Sequence, residues 1–352
     1  MWTLEETLAS QDDLDRLCAD RPLQTGEVFA PNAFYGMDLI LKMYAGLPPT
    51  YALKVLVPHG IVLDEKFVWR AERESLLPAV LCYPSYRQAA YASSTEMIVI
   101  PAASPFLYLT ALLGGQQQSK RRGTIFFPHH STHHVTVQMD FEALAEALVH
   151  LDDQYQPLTV CIYWRDFNLG HHLAFERRGL RVVSAGHIYD PYFLFRFYHL
   201  CSMHRYAASN GRGSHISYCV KSGCCYFHFD PVPHSCVADE EILRRDTASG
   251  SWAVRARLES LLAIRRPFTT AAQIETVDYF LGADQFKSPE QLREQLRWAE
   301  GLDRFGFVRR SNAGSVSFRV PTCYLRVGRA LRTKLGRAKH SLSRRRGEKQ
   351  DR

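Results

Sequence analysis

The chain has 352 residues, a length that suits two domains, and its 46% hydrophobic and 22% charged content excludes a disordered polypeptide. The sequence contains no run of about 18 uncharged apolar residues, so it predicts no transmembrane helix. The acidic N-terminal segment lacks the pattern of a signal peptide. Nine scattered cysteines without a regular spacing favour a reducing compartment. We therefore expect a cytoplasmic protein.

The formal net charge of +7 is concentrated in the C-terminal tail. Residues 326–352 contain 11 Lys/Arg and 2 Asp/Glu, a net charge of +9, so the remaining residues carry −2. Val327, Leu331 and Leu335 fall at i, i+4 and i+8, a spacing typical of a basic amphipathic helix at an anionic membrane surface. A disordered solubilising tail is the alternative. Because the tail lacks interleaved aromatic residues, nucleic acid is not an expected partner.

Residues 1–118 are predicted to form an N-terminal Rossmann-like domain that binds the acceptor. Three short apolar runs, each followed directly by proline, alternate with helical segments, which favours a parallel sheet covered on both faces. The predicted strands are 53–57, 79–83 and 97–100, and the predicted helices are 39–45 and 87–92. The polar residues 116–123 are predicted to link this domain to the next.

Residues 119–240 repeat the same pattern and predict a second Rossmann-like domain of five strand–helix repeats. Its predicted strands are 124–127, 158–163, 180–184, 206–208 and 225–229, and its predicted helices include 140–151, 169–179 and 191–203. The fold class is therefore α/β. A helical extension over residues 241–325 and the basic tail over 326–352 complete the predicted organisation.

The stretch 209–215 is predicted to be a phosphate-binding turn that opens a helix. Ser209 and Asn210 are good N-caps, and Gly211 and Gly213 allow a sharp turn and the close approach of a ligand. The free N–H groups and the positive dipole end of the helix favour an anion. The alternative is an ordinary glycine-rich connection between a strand and a helix.

Three turns follow predicted strands: Pro58-His59-Gly60, Phe127-Pro128-His129-His130-Ser131-Thr132, and the stretch from Ser209-Asn210-Gly211 to His215. Over residues 24–235 this arrangement resembles the two-domain (GT-B) glycosyltransferases. More narrowly, it is similar to bacterial enzymes of capsular and surface-polysaccharide assembly.

The resemblance implies two Rossmann-like domains that face a cleft, with a nucleotide-sugar donor held by the second domain and no cofactor. It implies transfer of a sugar to a saccharide or lipid-linked acceptor in surface-polysaccharide biosynthesis, at the inner face of the membrane. Transferases that use CMP-linked acidic sugars commonly carry a His-Pro pair near the nucleotide, and this sequence has none. The donor nucleotide, and whether the sugar is a hexose or an acidic sugar, therefore stay open.

In doubly wound folds, ligands bind outside the carboxyl ends of the strands, so polar residues at those ends are the donor-site candidates. Hydroxyl, amide, imidazole and guanidinium groups near three predicted strand ends are predicted to bind the phosphates: Ser131, Thr132, Arg165, Ser209, Asn210, Gly211, Gly213, Ser214 and His215. A surface salt bridge is the alternative for Arg165.

His59 is the first candidate for the base that deprotonates the acceptor hydroxyl, because an imidazole with a near-neutral pKa suits that step. Asp64 and Glu72 are rival bases, and a structural role in a turn is the alternative for His59. Arg87, at the end of a strand in the first domain, is predicted to contact the acceptor or a phosphate.

The pairs His129/His133 and His130/His134 have a spacing that fits one face of a helix. Residues 135–138 are poor helix sequence, and no nearby carboxylate completes a ligand set. We therefore expect no metal.

Two functions of other kinds stay open. A nucleotide-sugar epimerase on the same fold requires a pair of carboxylates around the sugar. A non-enzymatic protein that binds nucleic acid or a protein partner requires a positive stripe across the folded body.

Overall fold

The computed structural model describes residues 13–62, 66–114, 121–238, 256, 258–259, 261–262 and 265–304. The predicted base Asp64, the basic tail and most of the predicted linker lie outside these ranges. Within the described ranges, no helix is both long and apolar enough to cross a membrane.

The described elements alternate between helices and short strands. The helices are α1 (Leu14–Cys18), α2 (Met37–Tyr44), α3 (Arg70–Arg73), α4 (Ser85–Ser94), α5 (Pro105–Leu113), α6 (Phe141–Val149), α7 (Trp164–Asn168), α8 (His172–Glu176), α9 (Phe193–Met203), α10 (Ser214–Lys221), α11 (Ala271–Leu281) and α12 (Pro289–Arg304). The strands are β1 (Ala79–Cys82), β2 (Ile98–Pro101), β3 (Thr124–Phe127), β4 (Val135–Met139), β5 (Leu158–Cys161), β6 (Arg181–Val183), β7 (Tyr206–Ser209), β8 (Cys225–His228) and β9 (His234–Ala238). Short 3-10 helices occur at Ala30–Gly36, Asp153–Tyr155 and Ala283–Gln285.

Five strands of the second half form one parallel sheet in the order β6-β5-β3-β7-β8. Strands β3, β5 and β7 are buried along their whole length, which is why each reads as a continuous apolar or small-residue run. The α/β prediction with a Rossmann-like sheet is confirmed. The strand order reverses between β3 and β7, and ligands bind at such a reversal in doubly wound sheets.

The first half contains a smaller parallel sheet, in which β1 pairs with β2. The predicted strand at 53–57 is reduced to one parallel bridge between Leu56 and Val80, with the Leu56 N–H donating to Ala79 O at 2.9 Å. The segment nevertheless runs beside β1 and delivers the Pro58-His59-Gly60 turn to the carboxyl end of this small sheet.

Two further differences concern the second half. The predicted helix 169–179 is confirmed only in part: α8 lies within it, and a separate helix, α7, begins earlier at Trp164 and is divided from α8 by Gly170 with φ +79°. Strands β4 and β9 form an antiparallel ribbon that the local pattern did not predict. Its partners are almost a hundred residues apart, and β9 has little apolar alternation.

The two halves share one hydrophobic core. Phe106 of α5 stacks on Tyr218 of α10 with 4.2 Å between ring centroids, and α11 and α12 enter the same cluster through Phe280 and Leu292. Helices α11 and α12 lie in the segment for which helix was predicted, and the chain just before α12 is tied to the first half where the Tyr44 hydroxyl donates to Lys287 O at 2.9 Å.

Asn32 fixes the segment that carries the His59 turn. Its fully buried side chain donates from Nδ2 to Val55 O at 2.9 Å and accepts the Val57 N–H at Oδ1 at 2.8 Å. The amide therefore replaces the strand partner that this segment lacks on one side. A side chain without these groups leaves two buried backbone groups unsatisfied.

We expect Asn32→Ala to lower the free energy of unfolding by about 1–3 kcal/mol, because a buried donor and a buried acceptor both lose their partner. Urea unfolding followed by circular dichroism measures the change. Asn168→Ala is the matched control: this exposed side chain makes one hydrogen bond, to Cys18 O, and its loss should cost about 1 kcal/mol or less. Equal losses in both variants would contradict the role given to Asn32.

Candidate functional site

A cavity of about 1290 Å³ lies at the carboxyl ends of the five-stranded sheet. Residues that end or follow all five of its strands line it, and the first half contributes the opposite wall through the 3-10 helix, the His59 turn and Glu72. Its position matches the ligand site expected at the reversal of strand order. We call this cavity the cleft.

The turn between β7 and α10 differs from its prediction in one respect. Helix α10 begins at Ser214, its N-cap is Gly213, and no side chain caps it. The predicted N-caps Ser209 and Asn210 are therefore wrong as caps. The Ser209 hydroxyl instead accepts the Gly211 N–H at 2.9 Å and donates to Gly211 O at 3.0 Å, which closes the turn on itself.

Asn210 and Gly211 join this turn to the loop after β3. The His129 N–H donates to Asn210 Oδ1 at 2.7 Å, and Asn210 Nδ2 contacts Met139 Sδ at 3.0 Å. A Cβ at Gly211 would lie 3.0 Å from His129 Cα, so only glycine allows this approach without displacement of the backbone. The loop after β3 and the turn between β7 and α10, which were predicted at separate strand ends, are therefore held together by direct contacts.

The start of α10 presents free donors. Among the described residues, no acceptor bonds the backbone N–H of Ser214 or His215, as is usual in the first turn of a helix. The Ser214 hydroxyl accepts the Ile61 N–H at 2.7 Å and therefore ties α10 to the His59 turn of the first half. The backbone groups and helix dipole of this site favour an anion.

Histidine side chains crowd the same end of the cleft. Burial and the neighbouring imidazoles of His130 and His129 lower the pKa of His215 to about 3. Burial, followed by the charges of His130 and His234, lowers the pKa of His129 to about 4, and burial lowers the pKa of His130 and of His228. All of these imidazoles are therefore neutral at pH 7.

His59 sits between two aromatic rings on the opposite wall. Tyr35 stacks on its ring at 5.3 Å between centroids, and Phe34 meets it edge-on at 5.4 Å. Burial lowers the pKa of His59 to about 4, and its buried Nδ1 has no hydrogen-bond partner among the described residues. The ring is therefore neutral at pH 7, but its pKa lies well below the near-neutral value expected from the sequence, because burial penalises the imidazolium.

Glu72 holds the backbone beneath this ring. Its buried carboxylate accepts the His59 N–H at 3.3 Å and the Tyr91 hydroxyl at 2.7 Å, and burial raises the pKa of Glu72. Arg87 lies near the same carboxylate and over the Tyr91 ring, and it is not among the residues that line the cleft. The structure therefore brings Glu72 and His59 together at the cleft, and it places Arg87 beside Glu72 but outside the cleft lining.

The predicted donor residues of the β3 and β5 ends are placed differently. Ser131 is buried: its hydroxyl accepts the Val137 N–H, and its N–H donates to Asp166. The Thr132 hydroxyl accepts the His134 and Val135 N–H groups, although Thr132 itself lines the cleft. Arg165 lies over the Trp164 ring and is not among the lining residues.

Sequence reasoning missed Tyr35, Tyr163 and Asp166. Tyr35 has φ +58°, and among the described residues it is the one non-glycine with a positive φ. Its hydroxyl lies 3.2 Å from that of Tyr163, which brings the two walls of the cleft together. Asp166 anchors the β3 loop through Ser131 and is bonded by His171 at 3.1 Å. Tyr35 precedes Gly36 in an aromatic run, the one local signal that marked it.

The paired histidine spacing does not place rings on a helix, because the residues that follow form β4. In the described part of the chain, no group of three or more metal-ligating side chains is placed to hold a metal ion. No protein-family model and no curated protein matches the sequence.

The buried neutral histidines predict a pH dependence of stability. Their folded pKa values lie below the ordinary value of 6.5, so the unfolded chain binds more protons as the pH falls. Their contribution is fully present above about pH 6.5 and is lost progressively towards pH 4. Urea unfolding at pH 7 and pH 5 should show a lower free energy at pH 5.

His215→Phe removes one of these groups and keeps a ring beside Phe127, so its loss of stability between pH 7 and pH 5 should be smaller than that of the wild type. Phe127→Leu is the packing control, and it should lower stability equally at both pH values. An unchanged pH dependence in His215→Phe would show that His215 does not contribute to the loss of stability at low pH.

Proposed function

We propose that this protein is a glycosyltransferase that moves a sugar from a nucleotide-sugar donor to a hydroxyl of a saccharide or lipid-linked acceptor. The observation that carries the proposal is the position of His59 in the cleft. Its turn is hydrogen-bonded to the start of α10 through Ile61 and Ser214, so a free imidazole adjoins a set of free anion-binding amides. A GT-B-like arrangement of two facing domains would explain why the walls come from different halves of the chain.

The donor's phosphates are assigned to the start of α10. The N–H groups of Ser214 and His215 and the positive end of the helix dipole suit a diphosphate, and Gly213 places no side chain beside them. Asn210 and Gly211 act by holding this turn against the β3 loop. Ser131, Thr132 and Ser209 shape the two loops through hydrogen bonds within them.

The acceptor is assigned to the wall around His59. The rings of Phe34, Tyr35 and Tyr163 line this part of the cleft, and aromatic side chains with polar ends suit a saccharide that has both apolar faces and hydroxyls. His59 takes the proton of the attacking hydroxyl as the bond from the sugar to the donor phosphate breaks. Glu72 acts as a positioning residue, because both of its oxygens are already bonded.

No specific observation favours either alternative, the nucleotide-sugar epimerase or the non-enzymatic binding protein. The carboxylates among the described lining residues are Glu72, which is bonded within its own wall, and Asp230, which lies 3.3 Å from His234 Nδ1. They do not form the carboxylate pair that an epimerase requires. The one guanidinium among those lining residues, Arg212, is paired with Glu259 at 2.9 Å and forms no positive stripe.

Nucleotide binding tests the donor site. In a thermal-shift series with UDP, GDP and CMP, at least one nucleotide should stabilise the wild type, by about 2.7 kcal/mol at 100 times its dissociation constant. Gly213→Val should abolish this shift, because its Cβ lies 3.2 Å from His215 Nδ1 and its methyl groups cover the amides. Ser214→Glu should also abolish it, since a carboxylate repels phosphate.

Gly26→Val is the matched control, because a Cβ at Gly26 meets nothing within 4 Å. This variant should bind nucleotide as the wild type does. Circular dichroism checks that each variant is folded. Wild-type affinity in folded Gly213→Val and Ser214→Glu would remove the α10 turn from the donor site.

Turnover tests His59. With a nucleotide sugar and a panel of saccharide acceptors, His59→Ala should release nucleotide about 10²–10⁴ times more slowly, with little change in donor affinity. Because the pKa of His59 is about 4, wild-type turnover at saturating donor should vary little above pH 5 and fall as the pH drops towards 4. Glu72→Gln tests the rival base. If this variant lost more activity than His59→Ala, Glu72 and not His59 would be the catalytic base.

A further inference from the structure

The cleft holds little fixed positive charge for a ligand that carries phosphates. Among its described lining residues there is no lysine, and the one arginine, Arg212, is already paired with Glu259. The amides at the start of α10 supply partial charge only. A nucleotide diphosphate in this position needs further cations nearby, and imidazoles are the side chains present that can become cationic.

The imidazoles converge on the start of α10 from three elements. His129 and His130 follow β3, His215 lies in the first turn of α10, and His228 ends β8. His129 is held against Gly211 by the Asn210 hydrogen bond, and its ring meets that of His234 at 4.8 Å. The buried Nε2 of His215 has no hydrogen-bond partner among the described residues, so this nitrogen can donate to a ligand once the imidazole is protonated.

We propose that His129 and His215 take up protons as the phosphates of a nucleotide sugar bind, so that the imidazolium ions formed with the ligand are its counter-charges. This inference rests on the proposed function, because it names how the donor site holds its substrate. It makes the affinity of the donor site dependent on pH, with tighter binding in mildly acidic solution.

Titratable and charged groups on several elements face these two rings. The Cys236 Sγ of β9 lies 3.9 Å from His129 Nε2. Asp166 of α7 favours protonation of His129, whereas Arg212 of the β7–α10 turn and the imidazoles of His130 and His234 oppose it. His215 is faced by His130, His129 and His228, which all oppose its protonation, and no carboxylate among the described residues acts on it. In the empty cleft the balance therefore keeps both rings neutral, and only an entering anion reverses it.

The physical reason for the reversal is the poor hydration of the site. Burial penalises an isolated imidazolium, and the same burial strengthens its attraction to a phosphate placed beside it. An opposite charge within about 4–6 Å raises the pKa of a neighbouring base by about 1–3 units. At pH 6 we therefore expect an uptake of roughly half a proton per ligand, most of it at His129, because the pKa of His215 starts lower.

Isothermal titration calorimetry measures this uptake directly. UDP-glucose, GDP-mannose and CMP-N-acetylneuraminate are titrated at pH 6 in buffers of different ionisation enthalpy, and the slope of the observed enthalpy gives the protons taken up. These probes carry phosphodiesters that do not titrate near pH 6, so the protons belong to the protein. Affinity should rise about three- to ten-fold for each unit decrease in pH.

Variants assign the protons to residues. His215→Gln and His129→Gln should each bind the same nucleotide sugar with less proton uptake and a weaker pH dependence. His150→Gln, which changes an exposed histidine at the end of α6, is the matched control and should retain the wild-type uptake. The wild-type slope needs no variant, so a variant that fails to fold does not block the test.

The calorimetry distinguishes failure of the proton uptake from failure of the proposed donor site. Binding of a nucleotide sugar without proton uptake between pH 5.5 and 7.5, or wild-type uptake in both glutamine variants, would overturn the inference and leave the donor site intact. Failure of all three nucleotide sugars to bind would overturn the donor assignment, and the inference with it.

Discussion

The cleft depends on the contact between the turns that follow β3 and β7. The His129 N–H donates to Asn210 Oδ1, and Gly211 packs so closely on the same residue that a Cβ would lie 3.0 Å from His129 Cα. Neighbouring parallel strands end at one edge of the sheet, so this contact sets the imidazoles beside the first turn of α10. The Ser214 hydroxyl then reaches Ile61 and brings the His59 turn to the same place.

Burial acts on this site in two ways. With the cleft empty, a charged imidazole would lack both water and a counter-ion, so the histidines remain neutral, and several can lie together without repulsion. When an anion enters, the same low polarity makes each new ion pair stronger than it would be in water. Lysines in these positions would repel one another in the empty cleft, whereas histidines gain charge only when the ligand compensates it.

The sequence predicted the five-stranded sheet, because each strand is a short apolar run bounded by turn residues, and it placed the α10 turn, the β3 loop and the His59 turn at strand ends. It did not predict which groups remain free. Hydroxyls such as those of Ser131 and Ser209 are consumed by hydrogen bonds within their own loops, which no local pattern shows. Arg165 was misplaced because β5 ends at Cys161 and α7 begins at Trp164. The β4–β9 ribbon depends on pairing between distant segments.

The left-handed backbone of Tyr35 and the contacts that it allows could not be predicted from the sequence. A left-handed tyrosine costs about 1–2 kcal/mol relative to an ordinary backbone conformation. Its ring stacks on His59 and packs at 4.7 Å on Phe193, its N–H donates to Ile188 O at 2.7 Å, and its hydroxyl meets that of Tyr163. Each aromatic contact stabilises by about 0.5–1.5 kcal/mol, so together they offset the strain. The left-handed backbone at Tyr35 is therefore the conformation that lets one side chain cover His59 and join the two walls of the cleft.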